Sequence, residues 1–385
     1  MADGISSPGP STAAAGPGAG LPTPGPRLLE LPPARLVGLR GTALRQAIAA
    51  SEGRVLAAEV VAVAPPLVDG VTNGELAAAF GADLLLVNVY DVLAPRIAGL
   101  PGWDEPGAGA PAWAAPAPPP AASPAAPPGA LPAPGASAGA TGSAAVPPGS
   151  AGSGEAPAGS VAPPAPRASH PGPLAALARL TGRVVGINLE PSERVPSGRR
   201  ATPENALRAV EQGAQWILLT GNPHTGVTAE GIQRAAEAIR RVLAPDRLLL
   251  AAGRMHGAGA WYGEEPFLDE TAVRALVTAG VDVVALPAPA TVPGVTVEQA
   301  RRWVEAVHAA GALAMSTIGT SQEGADEGTL RQIALMSKAC GFDLHHLGDA
   351  GYHGVALPEN ILAYGIAIRG RRHTYRRMAL SAWRE

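Results

Sequence analysis

Lysine is nearly missing from this 385-residue chain: Lys338 is the only one, and arginine supplies the remaining positive side chains. A Schiff-base mechanism needs a lysine at the reacting centre. Lys338 falls near the end of a helical pattern, on the wrong side of the expected fold, which argues against that chemistry. Cysteine is equally scarce. A lone Cys340 rules out an intramolecular disulfide framework and a cysteine-built metal cage, and reads as a small buried hydrophobe. No apolar run approaches the ~20 residues of a membrane span, and the first residues lack the basic start and apolar stretch of a secretory signal. The expectation is a cytoplasmic protein without a membrane partner. A formal net charge of -3 gives no global reason to expect nucleic acid. The Rossmann fingerprint, the P-loop and the Gly-x-Ser-x-Gly elbow are absent too.

Glycine and proline are abundant, at 48 and 41 residues, but most of the excess falls in two stretches. Met1 to about Pro26 is Gly, Pro, Ala and Ser. About Asp104 to Ser169 has the same character, with four charged residues. Neither can bury enough apolar surface to offset its ordering entropy. The organisation expected is a disordered tail over 1–27 and a single domain over 28–385, interrupted by a low-complexity insertion over 104–169.

Within that domain the chain repeats one unit. A helical pattern ends in glycine and an apolar run follows, at Gly81-Ala82-Asp83, Gly213-Ala214-Gln215, Gly280-Val281-Asp282, Gly311-Ala312-Leu313 and Gly341-Phe342-Asp343. Glycine adopts the left-handed helix cap that other residues resist. Eight short apolar runs lack polar alternation: Arg54–Val63, Asp83–Tyr90, Arg183–Leu189, Gln215–Thr220, Arg247–Ala252, Asp282–Leu286, Ala312–Thr317 and Phe342–Leu347. That pattern suits parallel strands covered on both faces. Helical patterns alternate with them, which predicts an α/β fold and, with eight repeats, a closed (β/α)8 TIM barrel. An open doubly wound sheet is the alternative. A further helix over Thr42 to Ala50 could plug the barrel floor.

In such a barrel the loops after the strands build the site. Polar residues therefore count most at strand C-terminal ends. Asn88 and Asn188 end the second and third runs, and Glu190 follows the third. Glu59 lies inside the first run, where it could point into the barrel. The fourth loop carries Gly221 and Asn222, the fifth Arg254 and His256, the seventh Gly319, Thr320 and Ser321. The eighth carries His346, Gly348, Asp349 and Gly351. Glycines and hydroxyls ahead of a helix can cradle an anion on backbone N–H groups, although a glycine-rich turn also forms without a ligand. Arg199 and Arg200, in a long third loop, match carboxylate or phosphate oxygens, or else are plain solvated surface. Glu190, His256, His346 and Asp349 are the candidates for acid and base work, with Glu59 behind them. The same four residues could hold a divalent metal, but no recognised ligand spacing supports one. The arginine-rich stretch from Arg369 to Arg384 reads as cations complementing a helix C-terminus, in preference to a nucleic-acid surface. A contact with another copy of the chain is a third reading.

Four phrases carry a family resemblance: Val185-Gly186-Ile187-Asn188-Leu189-Glu190-Pro191, Leu219-Thr220-Gly221-Asn222-Pro223, Ile318 through Asp326, and His345 through Tyr352. They resemble a bacterial barrel family labelled phosphoenolpyruvate phosphonomutase-like or haloacid dehalogenase-like hydrolase. The likeness spans roughly Pro33 to Ser381 outside the low-complexity insertion. The first label implies magnesium-holding acidic clusters and a mobile Lys-Lys-Cys-Gly-His type segment, of which Lys338-Ala339-Cys340-Gly341 is a faint echo. The second implies an Asp-x-Asp nucleophile on another fold, and that motif is missing. Taken together, the residues and the resemblance point to a lyase or isomerase acting on a small phosphorylated or carboxylated metabolite. A metal-dependent hydrolase and a non-catalytic barrel that binds a metabolite or partner remain the alternatives.

Overall fold

The computed structural model describes residues 25–104, 172–254, 269–351 and 353–380. The tail, most of the insertion and His256 lie outside the described residues. Two short helices, α1 (Pro33–Gly38) and α2 (Gly41–Ala49), lead into β1 (Val55–Val61). Strand and helix then alternate as α3 (Asn73–Ala79), β2 (Leu84–Asn88), α4 (Pro173–Thr181), β3 (Val184–Leu189), α5 (Pro203–Glu211), β4 (Trp216–Leu219) and α6 (Ala229–Val242). The second half follows as β5 (Leu249–Ala252), α7 (Glu270–Thr278), β6 (Val283–Pro287), α8 (Val297–Ala309), β7 (Leu313–Ile318), α9 (Glu327–Cys340), β8 (Leu344–Leu347) and α10 (Pro358–Ala379). Every neighbouring pair of strands is parallel, and β8 pairs with β1, which closes a (β/α)8 barrel.

Alternate residues of each strand face opposite sides of the barrel wall. Leu56, Ala58, Leu85, Val87, Val185 and Ile187 point outward into the helices. Val55, Ala57, Leu84, Leu86, Val184, Trp216, Leu218, Leu249, Ala251, Val283, Ala285, Leu313, Met315 and Leu344 fill the interior. Both faces are dry, hence the unbroken apolar runs. Trp216, 1% exposed, is the largest interior side chain. It fits because Gly186 on β3 has no Cβ, which would overlap the indole. Leu28, Leu36, Leu44 and Ile48 join the same interior cluster, so the segment ahead of β1 plugs the floor.

Four of the five repeated junctions share a hydrogen bond. Asp83 Oδ2 accepts from Leu56 N at 2.9 Å, Gln215 Oε1 from Val185 N at 3.0 Å, Asp282 Oδ2 from Leu250 N at 2.9 Å and Asp343 Oδ2 from Ala314 N at 2.7 Å. Each side chain satisfies an N–H near the start of the preceding strand, where the ladder begins. The three carboxylates among them also meet a basic side chain: Arg240 at Asp282, His308 at Asp343, and both Arg369 and Arg377 at Asp83. That last cluster corrects the reading of the arginine-rich C-terminal stretch. Helix α10 breaks at Gly370 (φ 75°) and folds Arg369 and Arg377 inward, where they are 6% and 1% exposed. They anchor the last helix under the barrel floor and are not a solvated cap.

Candidate functional site

Continuing the interior column upward replaces apolar residues with polar ones on six of the eight strands. Glu59, Asn88, Asn188, Thr220, Thr317 and His346 lie at these upper positions, two residues above Ala57, Leu86, Gly186, Leu218, Met315 and Leu344. All six line a cavity of about 320 Å³ at the barrel mouth. The size suits a small metabolite. Glu190, Arg199, Asn222, Arg254, Glu323 and Asp349 complete its polar wall from the loops.

A bonded row crosses three adjacent strands. Val89 N donates to Asn88 Oδ1 at 2.8 Å, which turns the Asn88 amide so that Nδ2 donates to Glu59 Oε1 at 2.7 Å. Asn188 Nδ2 approaches the same Asn88 oxygen at 3.4 Å. On the far side of the row His346 Nε2 stands 3.5 Å from Glu59 Oε2, beyond a good hydrogen bond. Val89 holds its orienting N–H at φ 57°, a conformation that a β-branched residue resists. Strain of this kind is characteristic of functional sites.

Loop eight encloses the row from above. Val61 N donates to Gly354 O at 2.8 Å and Ala356 N to Glu59 O at 3.1 Å, so the chain after β8 returns across the end of β1. Burial follows, and it pushes the Glu59 carboxyl up to about 8; the Asn88 hydrogen bond opposes this, and the nearby Asp349 and Glu323 carboxylates reinforce it. Burial pushes the His346 imidazole down to about 4. Charge is expelled from both members, so the pair is a neutral carboxylic acid beside a neutral imidazole. Burial also raises Glu323, opposed by its own backbone N–H and reinforced by Asp349.

Two glycines let the backbone press against carboxylates. A Cβ on Gly221 would stand 2.9 Å from Glu190 Oε2, and one on Gly348 would stand 2.8 Å from Glu323 Oε1. Asn360 on α10 holds loop seven by donating to Glu323 O at 2.8 Å and Ala325 O at 2.9 Å.

Among the residues singled out from sequence, Asn88, Asn188, Glu190, Arg199, Gly221, Asn222, Arg254, Gly319, Thr320, His346, Gly348 and Asp349 all line this cavity. Arg200, Ser321 and Gly351 do not. Arg200 is turned onto backbone, donating to Val195 O at 3.1 Å and Glu193 O at 2.7 Å. Arg199 is ion-paired with Glu190, so neither Arg199 nor Arg200 presents an uncommitted charge to an anion. Loop four spends N–H groups internally: His224 N on Asn222 Oδ1, Thr225 N on Asn222 O and Gly226 N on Pro223 O. Glu323 escaped the sequence reading because it sits among glycines and hydroxyls that suggested only a backbone cradle. Glu59 was visible through the two-residue period, but the loop that buries it was not. The Lys338 echo lies at the end of α9, with Nζ bonded to Ile368 O, away from the cavity.

Among the described residues no group of three or more His, Cys, Asp or Glu side chains converges as a metal site. No helix among them is long and apolar enough to cross a membrane.

Several solved structures are similar to this chain at low identity. GMP reductase from Trypanosoma brucei, in complex with guanosine 5'-triphosphate, shares 15% identity over 51% of this chain and 45% of its own, with a TM-score of 0.32. A Burkholderia cenocepacia protein provisionally described as a lyase/mutase shares 21% over 46% of this chain and 59% of its own, at 0.33. A Coccidioides immitis protein provisionally described as a fructose-1,6-biphosphate aldolase shares 14% over 50% and 73%, at 0.30. This chain thus spans about half the length of the first two. No curated protein matches it. The family model described as "Domain of unknown function (DUF7916)" matches residues 29–384, and the chain belongs to that family.

Proposed function

We propose that the barrel mouth is the active site of a lyase or isomerase that moves a proton on a small metabolite carrying an acidic group. The observation that carries this reading is the placement of Glu59: a largely buried carboxyl at the barrel mouth, held by Asn88 at 2.7 Å and facing His346 at 3.5 Å, in surroundings that push it up to about 8. A group whose pKa lies near the working pH is effective both as acid and as base. The ionised fraction of Glu59 takes a proton from a carbon or oxygen of the substrate, and the protonated carboxyl so formed returns it to a neighbouring atom or to a leaving group. His346, kept neutral by burial, offers one ring nitrogen as donor and the other as acceptor beside it. The Asn88 amide steadies the ionised form of Glu59 during the exchange.

The acidic group of the substrate falls to the rim, where Arg254, Gly319 and Thr320 line the cavity. Arg199 and Glu190 act as a pair that shapes the wall and neutralises itself. Among the described residues no three His, Cys, Asp or Glu side chains converge as ligands, and no step is routed through a divalent ion.

The test has two stages. Full-length protein is screened by thermal shift against sugar phosphates and 2-oxo acids, since specific binding raises the melting temperature. With a stabilising compound in hand, incorporation of deuterium from solvent is followed in wild type and Glu59→Gln. Loss of incorporation in the variant, with binding retained, is expected. Unchanged incorporation in Glu59→Gln would sink the proposal.

A further inference from the structure

Nine buried side-chain nitrogen or oxygen atoms among the described residues make no hydrogen bond, and four of them belong to three residues lining the mouth: Asn188 Oδ1, Glu323 Oε2, and both ring nitrogens of His346. Buried polar atoms are ordinarily satisfied. Orphans gathered at one cavity mark the positions that a bound molecule fills.

Their chemistry restricts that molecule. The Val89 N–H fixes the Asn88 amide, and Asn88 in turn takes the Asn188 Nδ2 group on its oxygen, so Asn188 is left with an acceptor. Glu323 Oε2 is a second acceptor whenever the carboxyl is ionised. A neutral His346 needs one donor and one acceptor. An ionised phosphate or carboxylate oxygen accepts and cannot donate; an ammonium donates and cannot accept. A hydroxyl does both. The side chains point the same way: Arg199 is committed to Glu190, and the lining also carries the carboxyl groups of Glu59, Glu323 and Asp349.

We infer that the end of the substrate entering the barrel is polyhydroxylated, with adjacent hydroxyls bonded to His346, Asn188 and Glu323, while any acidic group stays at the rim. This rests on the proposed active site and names the chemical class of its substrate. It reverses the polarity expected from the glycine-rich loops, which pointed to phosphate or carboxylate at the heart of the site.

The experiment uses the full chain. Erythritol, xylitol and glucose are the hydroxyl probes; glycerol 3-phosphate and inorganic phosphate are the contrasting ones. Binding is read by saturation-transfer NMR and located by crystal soaking. At least one hydroxyl probe is expected to seat with oxygens on His346 and Asn188. His346→Leu is expected to weaken it about tenfold or more, while His346→Gln, which keeps a donor and an acceptor, holds affinity within a few-fold. Should His346→Leu fail to fold, Asn188→Ala serves with the same expected loss. The inference is overturned if no hydroxyl probe seats on these atoms, or if inorganic phosphate occupies them. The two readings fail separately. A hydroxyl compound that binds without Glu59-dependent turnover removes the catalytic proposal alone, and Glu59-dependent turnover with phosphate seated on His346 removes this one alone.

Discussion

Glu59 is a residue kept at a cost to the fold. Its folded pKa of about 8 lies above the ordinary carboxylate value, so between roughly pH 4.5 and 8 the folded chain retains a proton that the unfolded chain has lost. Stability therefore falls as pH rises through that window. Glu59→Gln removes the buried ionisable group while keeping the Asn88 hydrogen bond, and should be the more stable protein at high pH. The gap is expected to widen by on the order of 4 kcal/mol between pH 5 and pH 8.5, measured by urea denaturation of both proteins. Parallel pH profiles would show that Glu59 titrates normally. His345 and His346 act at the other end of the scale. Burial depresses both to about 4, below the usual imidazole value. As pH falls from about 6.5 to 4 the unfolded chain takes up protons first, so stability drops on the acid side. His346→Gln should flatten part of that drop in the same titration. His345 has a structural role instead: on the outer face of β8 it bonds Ser316 at 2.8 Å and Tyr364 at 3.0 Å.

At the scale of elements, the strands were legible because a doubly covered parallel strand leaves an unbroken apolar run. The observed boundaries differ from the expected ones mostly by a residue or two, since the flanking Asp83, Gln215, Asp282 and Asp343 serve as side-chain acceptors at the junctions and not as ladder residues. What stayed hidden depends on distant contacts. Arg369 reaches Asp83 across 286 positions of sequence, a pairing that no local pattern encodes. Asp83→Asn should cost about 3 to 5 kcal/mol, because it leaves two buried guanidinium groups without their counter-charge. Chemical denaturation checks this, and a loss under 1 kcal/mol would show the cluster to be energetically idle. Likewise no local pattern marks Gly186 as the residue whose missing side chain makes room for Trp216 on the next strand. Gly186→Ala should destabilise by about 1 to 3 kcal/mol through overpacking, and Trp216→Leu in the same chain should recover part of that loss. If the double variant is no better than the sum of the single ones, the two side chains are not in conflict.

The described barrel has a closed floor and an open mouth. The floor is packed by Leu28, Leu36, Leu44 and Ile48 ahead of β1 and braced by α10 behind β8, so both ends of the described domain meet beneath the strands. The mouth takes polar residues from nearly every strand and from loops three, four, five, seven and eight. Sequence placed most of those residues on the correct face, because strand order and the two-residue period are enough for that. It could not rank them, because what separates Glu59 from Glu190 is their partners: Glu59 is held by Asn88 beside His346, whereas Glu190 is paired with Arg199. That ranking is the central claim, and direct titration tests it. Carboxyl carbons of 13C-glutamate-labelled full-length protein should include one resonance titrating near pH 8 that is missing from Glu59→Gln. If the resonance lost in the variant titrates near 4.5 instead, Glu59 is an ordinary solvated carboxylate and the acid–base account is wrong.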